Sequence, residues 1–454
     1  MRVRDLIVSS FLLLLTLILV GKNLDKPFWG IHDWNGARYG NIARNYLRYP
    51  VFTHKFSQIE NGGVVGEGKY RYLTHYPPLL PILISLSYRL MGVNEVATRL
   101  IPLLATAGTI ITFYFIGRTI LNWRVGLMAA TLALATPMVR YFGTNPVHEP
   151  LALFFGSLAF LGVLLVIKNK KKGWFLIWIG VILGLLNGWQ GVYLILALSI
   201  LLIKKVGRQK LSYLWLVAAF FVVLHFAHTK YITGSFLGGG LADVFLQRTA
   251  LGGAAKATPF TLYEFINRVR LWASANFTLS LILTTLIGVY YLTKEKSRQT
   301  KLFFVSFFIF GIGYPLTFPN ATYIHSYFIY PMTLFLSFIS AYAVFTLSQK
   351  SKSPLILIFI LVFLAVWFER TAYLRVLEES ASDKFAVEIG KEIMKETQIE
   401  DTIFVNPFSF ASSRYPHLTF YSDRNIVLNP DSEYNWEAKI DEENQTFQIL
   451  PAKK

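Results

Sequence analysis

Two carboxylates stand where a membrane enzyme would need them. Asp33 lies in His32-Asp33-Trp34-Asn35, just past the first apolar stretch, and Glu149 lies in Asn145-Pro146-Val147-His148-Glu149-Pro150, at the start of a later one. A carboxylate within hydrogen-bond reach of a hydroxyl can take its proton, provided burial and nearby charge tune its basicity. Each also has a plain structural reading: Asp33 as the cap of a helix beginning near Asn35, and Glu149 as an acidic first-turn residue beside Pro150. His75, ahead of Pro77-Pro78, is a candidate substrate contact to a phosphate or sugar, or a structural histidine where prolines fix the chain. Arg268 and Arg270 are candidates for a lipid phosphate, which guanidinium grips through two parallel bonds, with snorkelling to lipid headgroups as the alternative. Lys230, Arg248 and Lys256 are further cations of the same stretch. His325 and Tyr327, in His325-Ser326-Tyr327-Phe328, are candidates for phosphate and substrate contacts respectively, or members of an interfacial aromatic belt.

The elements that must position these groups are membrane spans. The chain has 454 residues, 54% hydrophobic and 15% charged, and a mean hydropathy of +0.45. Its apolar runs recur along most of its length, which excludes an ordinary soluble fold. Cysteine is absent, which excludes disulfides and thiolate metal sites. The net charge is +18, yet from Thr371 onward 9 Lys/Arg face 15 Asp/Glu, so that tail carries −6 and the remainder +24. Cations concentrated between spans point to cytoplasmic loops and lipid phosphates rather than nucleic acid.

Residues 6–20 read as the first span, and ten more fall between 96 and 369, giving eleven. The segment 77–91 is short for a span, begins with two prolines and carries Arg89. Loop charge decides its place. If it crossed, the basic clusters at 168–172, 204–210, 294–301 and 350–352 would lie outside, against the positive-inside tendency. An interfacial helix at 77–91 puts them inside, with residues 21–95 as one large external loop, the N-terminus cytoplasmic and the C-terminus external.

Within that loop, 36–47 reads as an amphipathic helix, and 51–59 and 64–73 flank the turn signal Asn61-Gly62-Gly63. A second external loop, 231–270, contains Gly238-Gly239-Gly240 and Gly252-Gly253 and is expected to be mobile over part of its length. In the tail, 381–396 reads as helix, and 402–405 and 418–421 read as strands. The expected architecture is therefore an α-helical polytopic membrane protein with about eleven transmembrane helices, interfacial helices in its first external loop and a small external α/β segment at its C-terminus. There is no Walker A loop and no His-Glu-x-x-His pattern, so nucleotide hydrolysis and zinc proteolysis lack support.

Several motifs, in this order, resemble the GT-C superfamily of integral membrane glycosyltransferases, near its protein O-mannosyltransferase and aminoarabinose transferase branch. They are Asp33 with Ala37-Arg38-Tyr39 and Ile42-Ala43-Arg44-Asn45, then His75-Tyr76-Pro77-Pro78-Leu79, Arg99-Leu100-Ile101-Pro102, Glu149 and the stretch from His325 to Pro331. The resemblance covers roughly residues 1–350, and Phe420-Tyr421-Ser422-Asp423-Arg424 resembles the external end of many bacterial members. It implies a transmembrane glycosyltransferase domain at 1–370, an external cap at 371–454, a sugar donor on polyprenyl or dolichyl phosphate, and Asp33 as catalytic base. Many members have Asp-Glu where this chain has Asp33-Trp34, which raises interest in Glu149, and Tyr76 is inserted between His75 and the proline pair. The absence of Trp-Trp-Asp argues against the oligosaccharyltransferase branch.

The function expected is inverting transfer of a sugar from a polyprenyl-phosphate donor to a hydroxyl of a lipid, glycan or protein. It would occur at the outer face of a prokaryotic plasma membrane, without cofactor or metal. The rivals are a polytopic transporter or lipid flippase, and a non-catalytic assembly subunit. A transporter would place charge at mid-bilayer depth; here the charges gather at span ends and in loops.

Overall fold

A computed structural model describes residues 3–250 and 258–452. Gly252-Gly253 and Lys256 lie outside the described residues. Among the described residues seven helices are long and apolar enough to cross a membrane, or eight if Leu262–Phe277 and Leu279–Thr293, bent by 103° at their junction, form one span. Reaching the expected eleven would require the shorter apolar helices Trp123–Ala135, Gly173–Asn187 and Gln190–Ile203 to cross as well. Leu79–Met91 has 13 residues, about 20 Å of helix against a hydrocarbon core of roughly 30 Å.

The first long loop folds into structure. Trp34–Arg48 is a helix whose Tyr39, Ile42 and Ala43 face inward, and it packs on Leu80, Ile84 and Tyr88 of Leu79–Met91. Its position after the first span depends on Gly36. A Cβ there would overlap the ring of Phe28, so only glycine lets that ring lie flat on the helix. The expected hairpin is reduced to one two-residue antiparallel ladder, Gln58–Ile59 with Tyr72–Leu73; residues 51–54 are helical instead. Asn41 and Asn45 hold the intervening chain by donating to the carbonyls of Glu60, Asn61 and Ile59 at 2.8–3.0 Å. Side-chain amides thus satisfy backbone groups that a longer ladder would have paired.

The C-terminal cap is a four-stranded sheet. Thr402–Asn406 pairs in parallel with Asn425–Val427 on one side and Trp436–Asp441 on the other, and Thr446–Pro451 closes the edge antiparallel. Helices Lys384–Glu396 and Phe408–Ser422 cover it, through Ile389, Ile393, Phe410 and Leu418 against Ile403 and Val405. The expected helix at 381–396 and strand at 402–405 are present. The strand expected at 418–421 is the last turn of Phe408–Ser422. Its Thr, Phe and Tyr favour strand locally, but buried residues recur at Phe410, Ala411, Tyr415, Leu418, Thr419 and Ser422, a helical period that packing enforces.

Cap and membrane part meet at Phe28, Ala37, Val387, Phe420 and Tyr421, and at a largely buried ionic joint. Asp423 accepts both bonds of Arg48 Nη2, at 2.6 and 2.7 Å, and pairs with Arg44 at 2.9 Å. Burial works against this carboxylate, but the two guanidiniums outweigh it and hold its pKa below the ordinary 3.8. A depressed folded value means that the joint contributes fully above pH 3.8 and is lost as pH falls through that lower value. Asp423→Asn is expected to destabilise the docked cap by roughly 1–3 kcal/mol, less than a fully buried pair would lose. Thermal unfolding and limited proteolysis between 371 and 384 would register it. Unchanged protection at pH 7 would show that the apolar contacts suffice.

Candidate functional site

Glu149 enters its position through the chain turn that precedes its helix. Val147 is extended, His148 opens the helix His148–Ile167, and Asn187 Nδ2 donates to the His148 carbonyl at 2.8 Å. Gln190 Nε2 donates to Glu149 Oε1 at 3.1 Å, while Glu149 Oε2 is buried with no hydrogen-bond partner in the protein. An aromatic stack steadies the surroundings. The Tyr76 ring lies on the His148 imidazole at 4.1 Å, His148 Nε2 meets Tyr39 Oη at 2.9 Å, and Tyr76 Oη meets Tyr314 Oη at 2.8 Å.

Two arginines complete this polar pocket. Arg38 is gripped by Glu60, whose other oxygen takes Arg71 at 3.2 Å, and its guanidinium lies 5.8 Å from the Trp34 ring. Arg248 comes from the helix Leu241–Thr249 and lies over the Tyr76 ring at 4.8 Å. The segment carrying Arg248 is tied down next to His75, because the Thr74 hydroxyl is 2.8 Å from the Gly238 carbonyl and 3.0 Å from that of Gly239. Among the described residues no carboxylate lies within 4.0 Å of Arg248, so its charge is available to a ligand anion.

Beside the polar pocket is an apolar cavity of about 530 Å³, walled by Trp189, Tyr193, Phe226, Leu241, Phe245 and Phe318. His75 and Arg248 line both spaces. A cation at the junction of a greasy cavity and a polar one can hold a phosphate whose substituents are a hydrocarbon chain on one side and a sugar on the other. His75 is kept neutral at ordinary pH, because burial and then the neighbouring Arg248 and Arg38 push its pKa well below 6.5. It can offer a hydrogen bond but not a charge.

Asp33 occupies a separate cavity. It is 5% exposed and lines a space shared with Lys26, Arg99, Arg140, Tyr141, Asn145 and Glu378, none of which borders the Glu149 pocket. The expectation that the two acids converge is therefore corrected: they lie on opposite sides of the turns 32–35 and 145–147. The turns that carry them meet where Asn145 reaches the His32 carbonyl, and His32 itself has a left-handed backbone, φ 63°. Such backbone costs a non-glycine residue about 1–3 kcal/mol and concentrates at functional sites. The Asp33 side chain does not cap the helix that follows it. Oδ2 accepts from the Gly30 N–H at 2.9 Å, and Oδ1 lies 3.5 Å from Arg99 Nη2.

The remaining candidates are distributed unevenly. Tyr327 lines the Glu149 pocket, and His325 stacks on it at 5.3 Å and faces His32 at 5.4 Å. Burial lowers His325 to about 3 and His32 to about 4, so neither is a cation at neutral pH. Arg268 lies against the Tyr323 and Trp272 rings at 4.9 and 5.4 Å, and Arg270 bonds Asn267 at 2.8 Å. Neither lines any of the three spaces described here. Arg38 and Trp34 border the Glu149 pocket and Gln190 bonds Glu149, although the sequence reading gave none of the three a site role of its own. Arg38 and Trp34 flank the Asp33 motif one helical turn apart, but nothing in the sequence around Gln190 marks it. Among the described residues no three His, Asp or Glu side chains gather to hold a metal ion.

Residues 75–231, about a third of the chain, match the dolichyl-phosphate-mannose-protein mannosyltransferase family. No curated protein matches the chain by sequence. Several solved structures share its fold. ArnT from Cupriavidus metallidurans bound to undecaprenyl phosphate aligns over 96% of this chain and 86% of its own, with TM-score 0.67 and 12% identity. The Archaeoglobus fulgidus oligosaccharyltransferase in its apo form aligns over 94% of this chain with TM-score 0.61 and 14% identity. The archaeal oligosaccharyltransferase AglB of the same organism, in complex with an inhibitory peptide and a dolichol-phosphate, gives 0.61 and 13% over 94%. The chain spans only 64% of the length of these two archaeal structures.

Proposed function

We propose that this chain, which shares the fold of those structures, is a member of the GT-C superfamily and an inverting glycosyltransferase that moves a sugar from a polyprenyl-phosphate donor to an acceptor hydroxyl at the outer face of a membrane. The observation that carries this reading is the shared wall: Arg248 and His75 border both the 530 Å³ apolar cavity and the polar pocket of Glu149. A prenyl chain fits the first; the second, about 20 Å³ as it stands, has to widen to take a sugar, with the phosphate at Arg248. Ligands of that class, undecaprenyl phosphate and dolichol-phosphate, accompany two of the similar structures. The basic clusters at 168–172, 294–301 and 350–352 belong to the opposite ends of the spans, which supports an external site, a cytoplasmic N-terminus and an external cap.

In the proposed reaction Asp33 takes the acceptor's proton, the acceptor oxygen bonds to the anomeric carbon, and the carbon–phosphate oxygen bond breaks with its electron pair leaving on the lipid phosphate. Attack and departure on opposite faces invert the configuration. A carboxylate offers roughly four lone-pair directions, and Gly30 and Arg99 use two of those of Asp33. The acceptor approaches from the Asp33 cavity, so the turns 32–35 and 145–147, which divide that cavity from the Glu149 pocket, must part for its oxygen to reach the anomeric carbon. Glu149, through its free oxygen, holds a sugar hydroxyl. Phosphate leaves without a general acid; it needs positive charge, and Arg248 is better placed to supply it than Arg268, Arg270 or the neutral His325. Tyr327 and His75 contribute hydrogen bonds.

The test is incubation of the purified full chain with a panel of polyprenyl-phosphate sugars and native membrane lipids. One donor should be consumed, releasing polyprenyl phosphate and a glycosylated product. Translocation of labelled lipid across vesicles, with every donor intact, would assign the chain to the flippase class instead.

A further inference from the structure

The cavity around Asp33 contains more positive charge than its own carboxylates neutralise, and one part of that charge has no partner. Arg140, on the short helix Pro137–Phe142, lines the cavity, and its Nε and Nη1 atoms are buried without a hydrogen-bond acceptor. Arg370 is 7% exposed and its Nε is likewise unaccepted. Both guanidiniums lie against one indole, that of Trp367, at 5.8 Å for Arg140 and 3.4 Å for Arg370. Among the described residues neither has a carboxylate within ion-pair distance. Contact with an indole offsets part of the cost of burying one cation, but two like charges on the same ring repel, and an anion shared between them relieves both costs.

The surroundings indicate what that anion is attached to. An apolar groove of about 320 Å³, lined by Phe11, Leu15, Phe359, Phe363 and Trp367, runs alongside, and Leu19 borders both the groove and the Asp33 cavity. Greasy groove, cation at its end and acid beyond repeat, on the other side of Asp33, the arrangement around Arg248. A free phosphate would use the arginines and leave the groove without purpose; a neutral lipid would do the reverse.

We propose that the acceptor is an anionic lipid whose phosphate is bound by Arg140 with Arg370 beside it, whose hydrocarbon lies against Leu19, Phe363 and Trp367, and whose nearby hydroxyl is presented to Asp33. This rests on the glycosyl-transfer reading for the role of Asp33, but the binding step stands by itself. Lys22 and Lys26 complete the rim; Lys26 is engaged by the Ser380 carbonyl at 2.9 Å and Lys22 pairs with Glu378 at 3.7 Å, so the arginines carry the recognition.

The experiment is a binding titration on the purified full chain in nanodiscs of neutral lipid, with undecaprenyl phosphate titrated into a separate sample. Phosphatidic acid is the probe, with diacylglycerol and inorganic phosphate as separate arms. Phosphatidic acid should bind, diacylglycerol should not compete, and millimolar inorganic phosphate should displace it poorly. The double variant Arg140→Gln with Arg370→Gln should lose about tenfold or more in affinity, and Arg140→Lys with Arg370→Lys should recover most of it. Undecaprenyl phosphate binding should be unchanged in both, which certifies the fold. Equal phosphatidic acid binding by the Gln variant, or equal binding of diacylglycerol, overturns the proposal, and full displacement by inorganic phosphate shows a free-anion site instead. Failure of the wild type to bind undecaprenyl phosphate would overturn the donor reading alone, since phosphatidic acid is titrated separately.

Discussion

Asp33→Asn should lower turnover by about 10²–10⁴-fold, the range that a positioned general base contributes, while donor affinity stays close to that of the wild type. Asparagine keeps the size of the side chain, and its carbonyl can still accept from the Gly30 N–H. What disappears is the proton acceptor. Arg99 would not be set adrift, because it also donates to the Leu24 carbonyl at 3.0 Å and to that of Lys26, and its guanidinium rests on the Phe28 ring at 4.5 Å. A collapse of kcat with unchanged KM separates a base from a merely structural ion pair. Were Asp33→Asn to retain its rate while Glu149→Gln abolished it, the base would be Glu149, whose Oε2 is buried and free.

Arg248→Gln should reduce kcat/KM by about 10²–10³-fold, the cost of removing one donor aimed at a developing anion. Glutamine offers one amide in place of a charged fork, and the nearest alternatives are poor substitutes. His75 is neutral where it lies, and Arg38 is already committed to Glu60. Lysine at 248 should restore part of the loss through charge alone. Direct titration with undecaprenyl phosphate checks the binding component. If Arg268→Gln or Arg270→Gln weakened that titration and Arg248→Gln did not, the phosphate would belong to the helix Leu262–Phe277 instead.

Much of this arrangement could be read from residue types in order, because membranes impose a strong period and a strong charge rule. The helix after Asp33, the helix at 384–396 and the strand at 402–406 all follow from spacing that burial then reinforced. The strand expected at 418–421 failed because aromatic and Thr residues carry weak local preference, which the helix packing of Leu418 and Phe410 overrode. The span count was beyond reach for a related reason: helices of 13–15 residues such as Trp123–Ala135 and Gly173–Asn187 are buried against neighbours, and composition does not distinguish that from crossing.

The site divided along a similar line. Asp33, Glu149, His75 and Tyr327 could be singled out because motifs flank them, and all four border one of the three cavities. Two features could not be read. One is that the two carboxylates open into different cavities, because the turns carrying them meet only in the fold, where Asn145 reaches the His32 carbonyl. The other is which cation of the long loop stands at the junction of the apolar and polar spaces. Arg268 and Arg270 look favourable by proximity to a span, whereas Arg248 reaches the junction because Thr74 draws its segment inward across 164 residues of sequence.

Phe28 connects parts of the molecule that a linear diagram would keep apart. Its backbone N–H donates to Tyr421 Oη at 2.7 Å, its ring meets Phe420 edge-on at 5.2 Å, and the same ring carries Arg99 on its face. The tail of the chain therefore sets the seat of the arginine that orients Asp33. A chimera grafting a foreign tail onto this transmembrane body would inherit its substrates but not its speed, unless the donor sequence supplied an aromatic pair of matching shape. Divergence in the tail is then a route by which relatives could retune catalysis without touching a single residue that meets the substrate.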